Sequence, residues 1–580
     1  MATSNKVLDV SFNGFDGVNI PNAHNGKASI TNVTNFRIND NGSLEKRSGF
    51  TPIYTDPEYE IKTVWSSNVG GILKTYVVRG PFIYELDLNK KSASYCGSLS
   101  TSGSVPYFFH YKDSVYAIDS SNLYKIDSSV SVVYGYVPLY GKNWGTTRPG
   151  EVYQPLNLLH RVARISYVIQ ASAYTSMLPT KHPVSRIISV YKNGVKLSSD
   201  KYYFDVDYNT INIRDGVTPG ESYLATVEYD SLSSPAYESF KSSSYAAVVG
   251  EAKSSRIFLW GSNIKNRMFI SSQVSDEDLE LAEQSVKGCG DIYFSEDNSF
   301  SVGDGQSCIT AIAQHYDRIL LFTDKNVWMT SALVNDGELP LMSINSTAGC
   351  SISSCISMAG NDPITIGKNS ILRWTSDTDE HNECNAESIS DPINPVLKRS
   401  FFQSGMSFYD KYRREILFYD PKDKGWVWIY SINKNRWFMF SSVSANGFFD
   451  ADQTIGFYDG KTVYVFEEGK NEDQIYGSSP STVTAVFESG ILDFDSSNSK
   501  RLCDIEIKCD PKGNAIKTDI LCNTGENVSF TTVASSEHSI LKQRLNSSRF
   551  KYAILSVTAV GNCGQTIHSI KLTAKEKITH

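Results

Sequence analysis

Tyr316–Met329 reads YDRILLFTDKNVWM: an alternating apolar run, a polar bend at Asp324-Lys325-Asn326, then a second strand carrying Trp328. The same plan recurs in KDSVYAIDSSNLYKI (Lys112–Ile126), YRREILFYDPKDKGWVWIY (Tyr412–Tyr430) and TIGFYDGKTVYVF (Thr454–Phe466). Alternation broken by Asp, Asn, Gly, Ser or Lys marks a β-hairpin. One hairpin cannot bury its own apolar face. Several variants in one chain therefore predict a radial or stacked array of small sheets, with a β-propeller as the first candidate.

Outward from these hairpins the rhythm persists. IKTVWSS, GILKTYVVRG, PFIYELDL and SASYCGSL make a first four-stranded blade from Ile61, and a second runs from Val105 to about Val137. Further blades fit Ile309–Ala332, Ser343–Trp374, Met406–Phe440 and Val443–Phe466, six or seven in all. Between residues 166 and 230 the pattern changes: Tyr191 to Val195 holds an Asn193-Gly194 turn, and Tyr223, Ala225, Val227 and Tyr229 alternate. This segment reads as a small β-sandwich inserted into the propeller, because an unstructured loop of that length is uncommon. After Gly477-Ser478-Ser479-Pro480 come strands at Thr482–Phe494, Leu502–Cys509, Ala515–Cys522, Phe550–Val560 and Thr566–Thr573. They predict a C-terminal β-sandwich.

The expected fold is thus all-β: a propeller of six or seven blades with an inserted β-sandwich and a C-terminal one. Its parts are an extended arm at 1–60, propeller at 61–165 and 231–475, the insert at 166–230 and the final sandwich at 476–580. One helix is predicted at Ser275–Gln284, with Ser275 as cap and Asp276, Glu277 and Asp278 at the positive end of its dipole.

Composition narrows the function. Hydrophobic residues make up 40% of the 580, enough for several cores, and 33 Tyr and 28 Phe suit half-wet sheets. The net charge of -8 and the absence of any extended Lys/Arg run disfavour tight nucleic-acid binding. Ten cysteines are too sparse for a disulfide framework and form no CxxC pair. Cys503, Ile505, Ile507 and Cys509 alternate onto one strand face and read as small buried hydrophobes. A zinc site drawing on them with Cys522 or Cys563 matches no standard ligand spacing. The N-terminus lacks the basic and apolar regions of a signal peptide, so cytoplasmic synthesis is expected. No stretch approaches the roughly 18 apolar residues of a spanning helix.

Catalytic motifs are missing: no GxSxG elbow, no Walker loop, no HExxH, and none of the SxDxGxxW turns of sialidase propellers. His315 reads as a polar surface residue at a turn, and SDTDEHNEC (Ser376–Cys384, with His381) as an acidic exposed loop. No catalytic, metal or cofactor residue is assigned.

ITNVTNFRINDNGSLEKRSGF (Ile30–Phe50) combines an Asn-rich stretch, the pair Phe36-Arg37, a turn at Asn41-Gly42 and Glu45-Lys46-Arg47-Ser48-Gly49. This resembles the opening of the bacteriophage tail nozzle and tail-hub proteins, also called DNA-stabilisation proteins. NRMFISS (Asn266–Ser272), Asp304–Met329, Ala348–Trp374, ESISDPINPVL (Glu387–Leu397) and FESGILDFDSSNSKRL (Phe487–Leu502) resemble later parts of that family in the same order. The insert at 166–230 departs from it.

The resemblance implies a virion tail protein, assembled in the host cytoplasm as a ring of six copies below a portal and adaptor. Genomic DNA would pass without tight or sequence-specific binding, and an acidic wall would let it slide. Asn35, Arg37, Lys46 and Arg47 are the expected assembly contacts, by strand addition to a neighbour. Charge reversal there is expected to leave the sheets folded. The alternative is a host-recognition protein holding a surface glycan on Tyr202, Tyr203 and Tyr208 of the insert or on the C-terminal sandwich.

Overall fold

The computed structural model describes residues 3–10, 12, 14–17, 30–39, 41–100, 103–147, 151–152, 154–159, 163–180, 183–229, 235–250, 254–286, 288–303, 305–376, 384–532, 539–561 and 564–577. The chain is all-β, with short helices between strands. Five strands lie near the N-terminus: β1 (Thr3–Val10), β2 (Ile30–Thr34), β3 (Phe36–Ile38), β4 (Leu44–Lys46) and β5 (Phe50–Thr55).

Seven four-stranded antiparallel meanders follow one another among the described residues. They span 61–98, 107–132, 245–301, 309–345, 356–388, 406–441 and 447–466, and β5 supplies the fourth strand of the last. β5 pairs with Thr462–Phe466 from Thr55↔Thr462 to Phe50↔Phe466. The strand Met342–Asn345 pairs back onto Val327–Ser331. The expected blade Ser343–Trp374 is therefore divided between two sheets that are consecutive in the chain, because the polar stretch after Asn345 ends one meander rather than bridging two strands of another.

The chain forms two compact units. One comprises Met1–Gly80, Tyr84–Tyr95 and Ala348–His580; the other comprises Pro81–Ile83 and Cys96–Thr347. Within the second, the 245–301 meander lies between two others. Ile257, Leu259 and Phe269 share a core with Phe109, Tyr116 and Ile118, while Phe258, Trp260 and Met268 share another with Ile312, Ile319 and Leu321. Its Arg256–Trp260 strand is accordingly buried at every position. A sheet covered on both faces needs apolar residues at both parities, so such strands read as continuous runs and not as alternation.

The insert also belongs to the second unit and is a two-sheet sandwich. One sheet orders Glu151–Val152, Leu139–Gly145, Ala163–Gln170, Ser222–Tyr229, Arg186–Lys192 and Val195–Lys196; the other orders Thr175–Pro179, Thr210–Val217 and Tyr202–Asp205. Ile165, Tyr167, Ile169, Leu178, Val190, Ile211, Ile213 and Tyr223 fill the space between them. The expected Asn193-Gly194 turn is present, with both residues left-handed (φ 46° and 77°), as a two-residue hairpin turn requires. The sandwich begins at Leu139, not at 166. Its first strand runs parallel to Ala163–Gln170 with register shifts on either side of Gly141, and these bulges erase the alternation that would have marked it.

The helix falls at Asp276–Ser285, and the Ser275 hydroxyl accepts the Asp278 N–H at 3.1 Å. Asp278 is buried, not part of a solvated face, and its carboxylate accepts from Gln154 Nε2 at 3.2 Å.

In the first unit the C-terminal strands form a sandwich into which the N-terminus is woven. One sheet holds Ser539–Arg544, Lys500–Asp510 and Thr566–Lys577, and the last strand pairs with β1 over eight residues and with β4 beyond them. The other holds Asn527–Thr531, Ile516–Cys522, Ala553–Val560 and Thr484–Ser489, followed by β2. β2 also bridges to the 406–441 meander at Thr34↔Met439. The predicted extended arm is thus corrected: its strands add to sheets of their own chain. Leu8 and Val10 join Leu502, Ile505, Ile570 and Leu572 in one core.

Cys503 is a second correction. A register shift between Leu502 and Asp504 interrupts the strand, so Ile505, Ile507 and Cys509 face the core while Cys503 is only half-buried. Burial pushes the thiols of Cys509 and Cys522 up to about 11.

Candidate functional site

Two places gather the residues singled out by the sequence. The first is a polar junction in the first unit. β3 and β4 form a hairpin in the register Phe36↔Lys46, Arg37↔Glu45 and Ile38↔Leu44, around the expected Asn41-Gly42 turn. Alternation buries Phe36, Ile38, Leu44 and the stem of Lys46, whose Nζ donates to the Gly561 carbonyl at 2.5 Å.

Arg47 follows, 2% exposed, and every N–H of its guanidinium is used. Nη1 and Nη2 grip both Asp473 oxygens at 2.8 and 2.6 Å, and Nε donates to Asn35 Oδ1 at 2.8 Å. The remaining two N–H groups donate to the Ser48 and Ser441 carbonyls at 3.0 Å each. Asn35, left-handed at φ 58°, completes the knot through Nδ2 bonds to Ser441 Oγ and the Thr484 carbonyl. Asn and Asp adopt this backbone conformation more readily than other side chains. Phe440 lies 4.8 Å from the Arg37 guanidinium and 5.5 Å from that of Arg47.

Arg37 is also held inside, its Nε 3.1 Å from Glu415 Oε2. Burial pushes the Glu415 carboxyl above its usual range, opposed by the Arg37 charge, and pushes the Arg37 guanidinium down. The expectation that Asn35, Arg37, Lys46 and Arg47 are assembly contacts is therefore corrected. Their polar atoms bond within the chain, where they join the hairpin to the 406–441 meander and the C-terminal sandwich.

The second place is the outer face of the three-stranded sheet of the insert. Tyr203 and Met177 flank Asn212 in one cross-strand row, and the alternation that points Ile211 and Ile213 inward points Asn212 and Arg214 out. Tyr203 is 47% exposed, with the Arg214 guanidinium 5.3 Å from its ring centre. Tyr208 is 72% exposed on a turn where the Asp205 carboxylate accepts the N–H groups of Asp207 and Tyr208 at 3.1 and 3.4 Å. Tyr202 points the other way, against the sandwich core, and leaves the candidate set. Arg214, Met177 and Asn212 were not singled out from sequence, although the alternation in TINIRDGV places two of them on this face. The Asn212 amide is buried and turned to Asp205 and Thr210, which leaves a flat ring and a guanidinium side by side, able to stack on one group and hydrogen-bond its edge.

No family model and no curated protein matches this chain. Among solved structures, the AfRom2 CNH domain aligns over 72% of this chain and 99% of its own at 5% identity and a TM-score of 0.35. An exo-beta-1,3-galactanase from Phanerochaete chrysosporium aligns over 80% and 95% at 10% identity and a TM-score of 0.20. A glycoside hydrolase covers 90% and 100% at 10% identity and a TM-score of 0.22. Likenesses of this size transfer neither architecture nor function.

His315 is buried at 1% exposure, its ring edge-on to Tyr316 at 4.7 Å, which corrects its reading as a surface residue. The middle of SDTDEHNEC, including His381, and Cys563 lie outside the described residues. Among the described residues no three His, Cys, Asp or Glu side chains converge as a metal site.

Proposed function

We propose that this chain is a non-enzymatic structural subunit of a bacteriophage tail, built on a seven-bladed β-propeller. It would form, with further copies, a nozzle or hub ring below the portal and adaptor that holds back the genome and passes it at ejection. The observation that carries this reading is the placement of Ile30–Phe50. The residues responsible for the resemblance are the ones that tie meander, hairpin and sandwich together around Arg47. Seven meanders in chain order, the last completed by β5, support the propeller.

Electron microscopy of virions carrying a labelled copy tests the role. The label is expected as a ring on the tail axis; a label on the capsid shell, on peripheral fibres or absent from the particle would remove it.

A second reading rests on the Tyr203–Arg214 face. A host-surface glycan would stack on Tyr203 and Tyr208, and the full-length Tyr203→Ala/Tyr208→Ala variant should then lose glycan-array binding by about tenfold or more with its melting midpoint unchanged. Equal binding by the variant and the parent, or none by either, counts against this reading.

A further inference from the structure

The outward face of one C-terminal sandwich sheet carries an excess of one sign of charge. Its strands are Ser539–Arg544, Lys500–Asp510, Thr566–Lys577 and β1. In register, Arg544 stands opposite Asp504, Glu506 stands between Lys542 and Lys571, and Lys571 faces Asp9 on its other side. Arg501 stands directly opposite Lys575, and Lys508 lies between Ile540 and Ser569.

Arg501, Lys508, Lys542, Arg544, Lys571 and Lys575 are all exposed, against four carboxylates, Asp9, Asp504, Glu506 and Asp510, on a chain whose net charge is -8. Asp9, Asp504 and Glu506 each have a cation opposite, and Asp510 lies 3.2 Å from His568 Nε2. The cations with no carboxylate directly across a strand pair are Arg501, Lys575 and Lys508. Lys542 is paired with Glu506 at 2.9 Å, whereas Arg501, Lys508, Lys571 and Lys575 have no ion pair among the described residues. Like charges placed directly across a strand pair repel each other. An approaching anion would relieve that repulsion.

Three kinds of partner bring negative charge, and the chemistry of the face separates them. Protein interfaces are rich in aromatic residues and poor in lysine; this face has four of its six cations as lysine and no aromatic. Single-stranded nucleic acid is held by stacking platforms, and none stands here. A duplex needs cations on an open surface and no stacking at all. From Arg501 to Lys508 the strand runs roughly 23 Å, a length over which a duplex presents more than about ten phosphates.

We propose that this face binds the phosphate backbone of duplex DNA without reading its sequence, through Arg501, Lys575 and Lys508. The contact follows from the electrostatics of the sheet alone, whether or not the chain belongs to a tail. It is weak and salt-labile, a local exception on an acidic molecule.

Full-length protein titrated with a short mixed-sequence duplex tests it. Three phosphate contacts predict a loss of affinity of about 40-fold between about 50 and 200 mM salt. Arg501→Glu/Lys575→Glu should bind about tenfold or more weakly at the lower salt and flatten the salt slope by about two. Lys196→Glu/Lys325→Glu, with the same change in net charge elsewhere, should bind as the parent does. Should the charge reversal fail to fold, Arg501→Gln/Lys575→Gln gives the same readout with a smaller effect. No binding by the parent at low salt, or equal losses in the two Glu variants, overturns the proposal. Displacement of the duplex by polyglutamate of matched charge at equal affinity would overturn it too, by assigning the face to acidic polypeptide.

Discussion

Arg47→Ala is expected to destabilise the first unit by about 3–5 kcal/mol, because removing one partner of a buried pair leaves the other charged and unsolvated. Asp473 is 3% exposed and would keep no bidentate partner, while Asn35 Oδ1 and the Ser48 and Ser441 carbonyls would each lose a donor. Arg47→Lys should recover only part of the loss. An ammonium has three donors and no planar fork, and five bonds are made here. Arg37→Ala should cost less, since its Glu415 partner is already pushed toward the neutral acid by burial. Urea unfolding of the three variants checks the order. An Arg47→Ala midpoint equal to that of the parent would mean that the junction does not hold the unit together. The same geometry corrects the expectation that charge reversal at Arg37 and Arg47 leaves the sheets folded.

Gly49→Ala is expected to be at least as damaging, by a different route. A Cβ at Gly49 would lie 2.0 Å from the Glu472 carbonyl oxygen and 2.5 Å from its carbon. Those atoms are backbone, so no side-chain rotation gives way. The Gly49 N–H also donates to the Lys470 carbonyl at 2.8 Å, which holds the two segments at that separation. Relief requires moving one of them and should cost more than about 3 kcal/mol, beyond ordinary overpacking. Gly42→Ala is the comparison: Gly42 is left-handed at φ 78° but has nothing within 4 Å of the added carbon. Its penalty is conformational alone, about 1–2 kcal/mol. Soluble yield and urea midpoint should both rank Gly49→Ala well below Gly42→Ala. Equal midpoints would show that the 470–473 segment yields freely.

What the sequence reveals here depends on how far apart the interacting residues are. Hairpins such as Arg318–Thr323 with Val327–Ser331 declare themselves, because strand, bend and strand fall within one short window. The Ser275 cap and the Asn193-Gly194 turn are equally local. The Arg47–Asp473 pair spans 426 residues, and no window of sequence contains it. Arginine in a polar stretch reads as surface by type; only the arrival of Asp473, Asn35 and Phe440 from elsewhere makes burial tolerable. Bulges hid two further features: the half-buried setting of Cys503 and the opening strand of the insert, Leu139–Gly145. Tyr202 and Tyr203 look alike in sequence, and the two-residue period of the strand assigns them opposite faces once the core is known.

The pairing of β1 with Thr566–Lys577, and of β5 with Thr462–Phe466, sets a timetable for the nascent chain. At about 5–20 residues per second, the mate of β1 leaves the ribosome roughly half a minute to two minutes after β1 itself. Through that interval β1 keeps an open edge, while β3 and β4 can close on each other and β5 waits only for Thr462–Phe466. Completion of the first unit therefore waits on Thr566–Lys577. A message cut short before Thr566 yields a chain whose β1 has no strand to pair with, so the sheet built on β1 forms only in chains that reach this stretch.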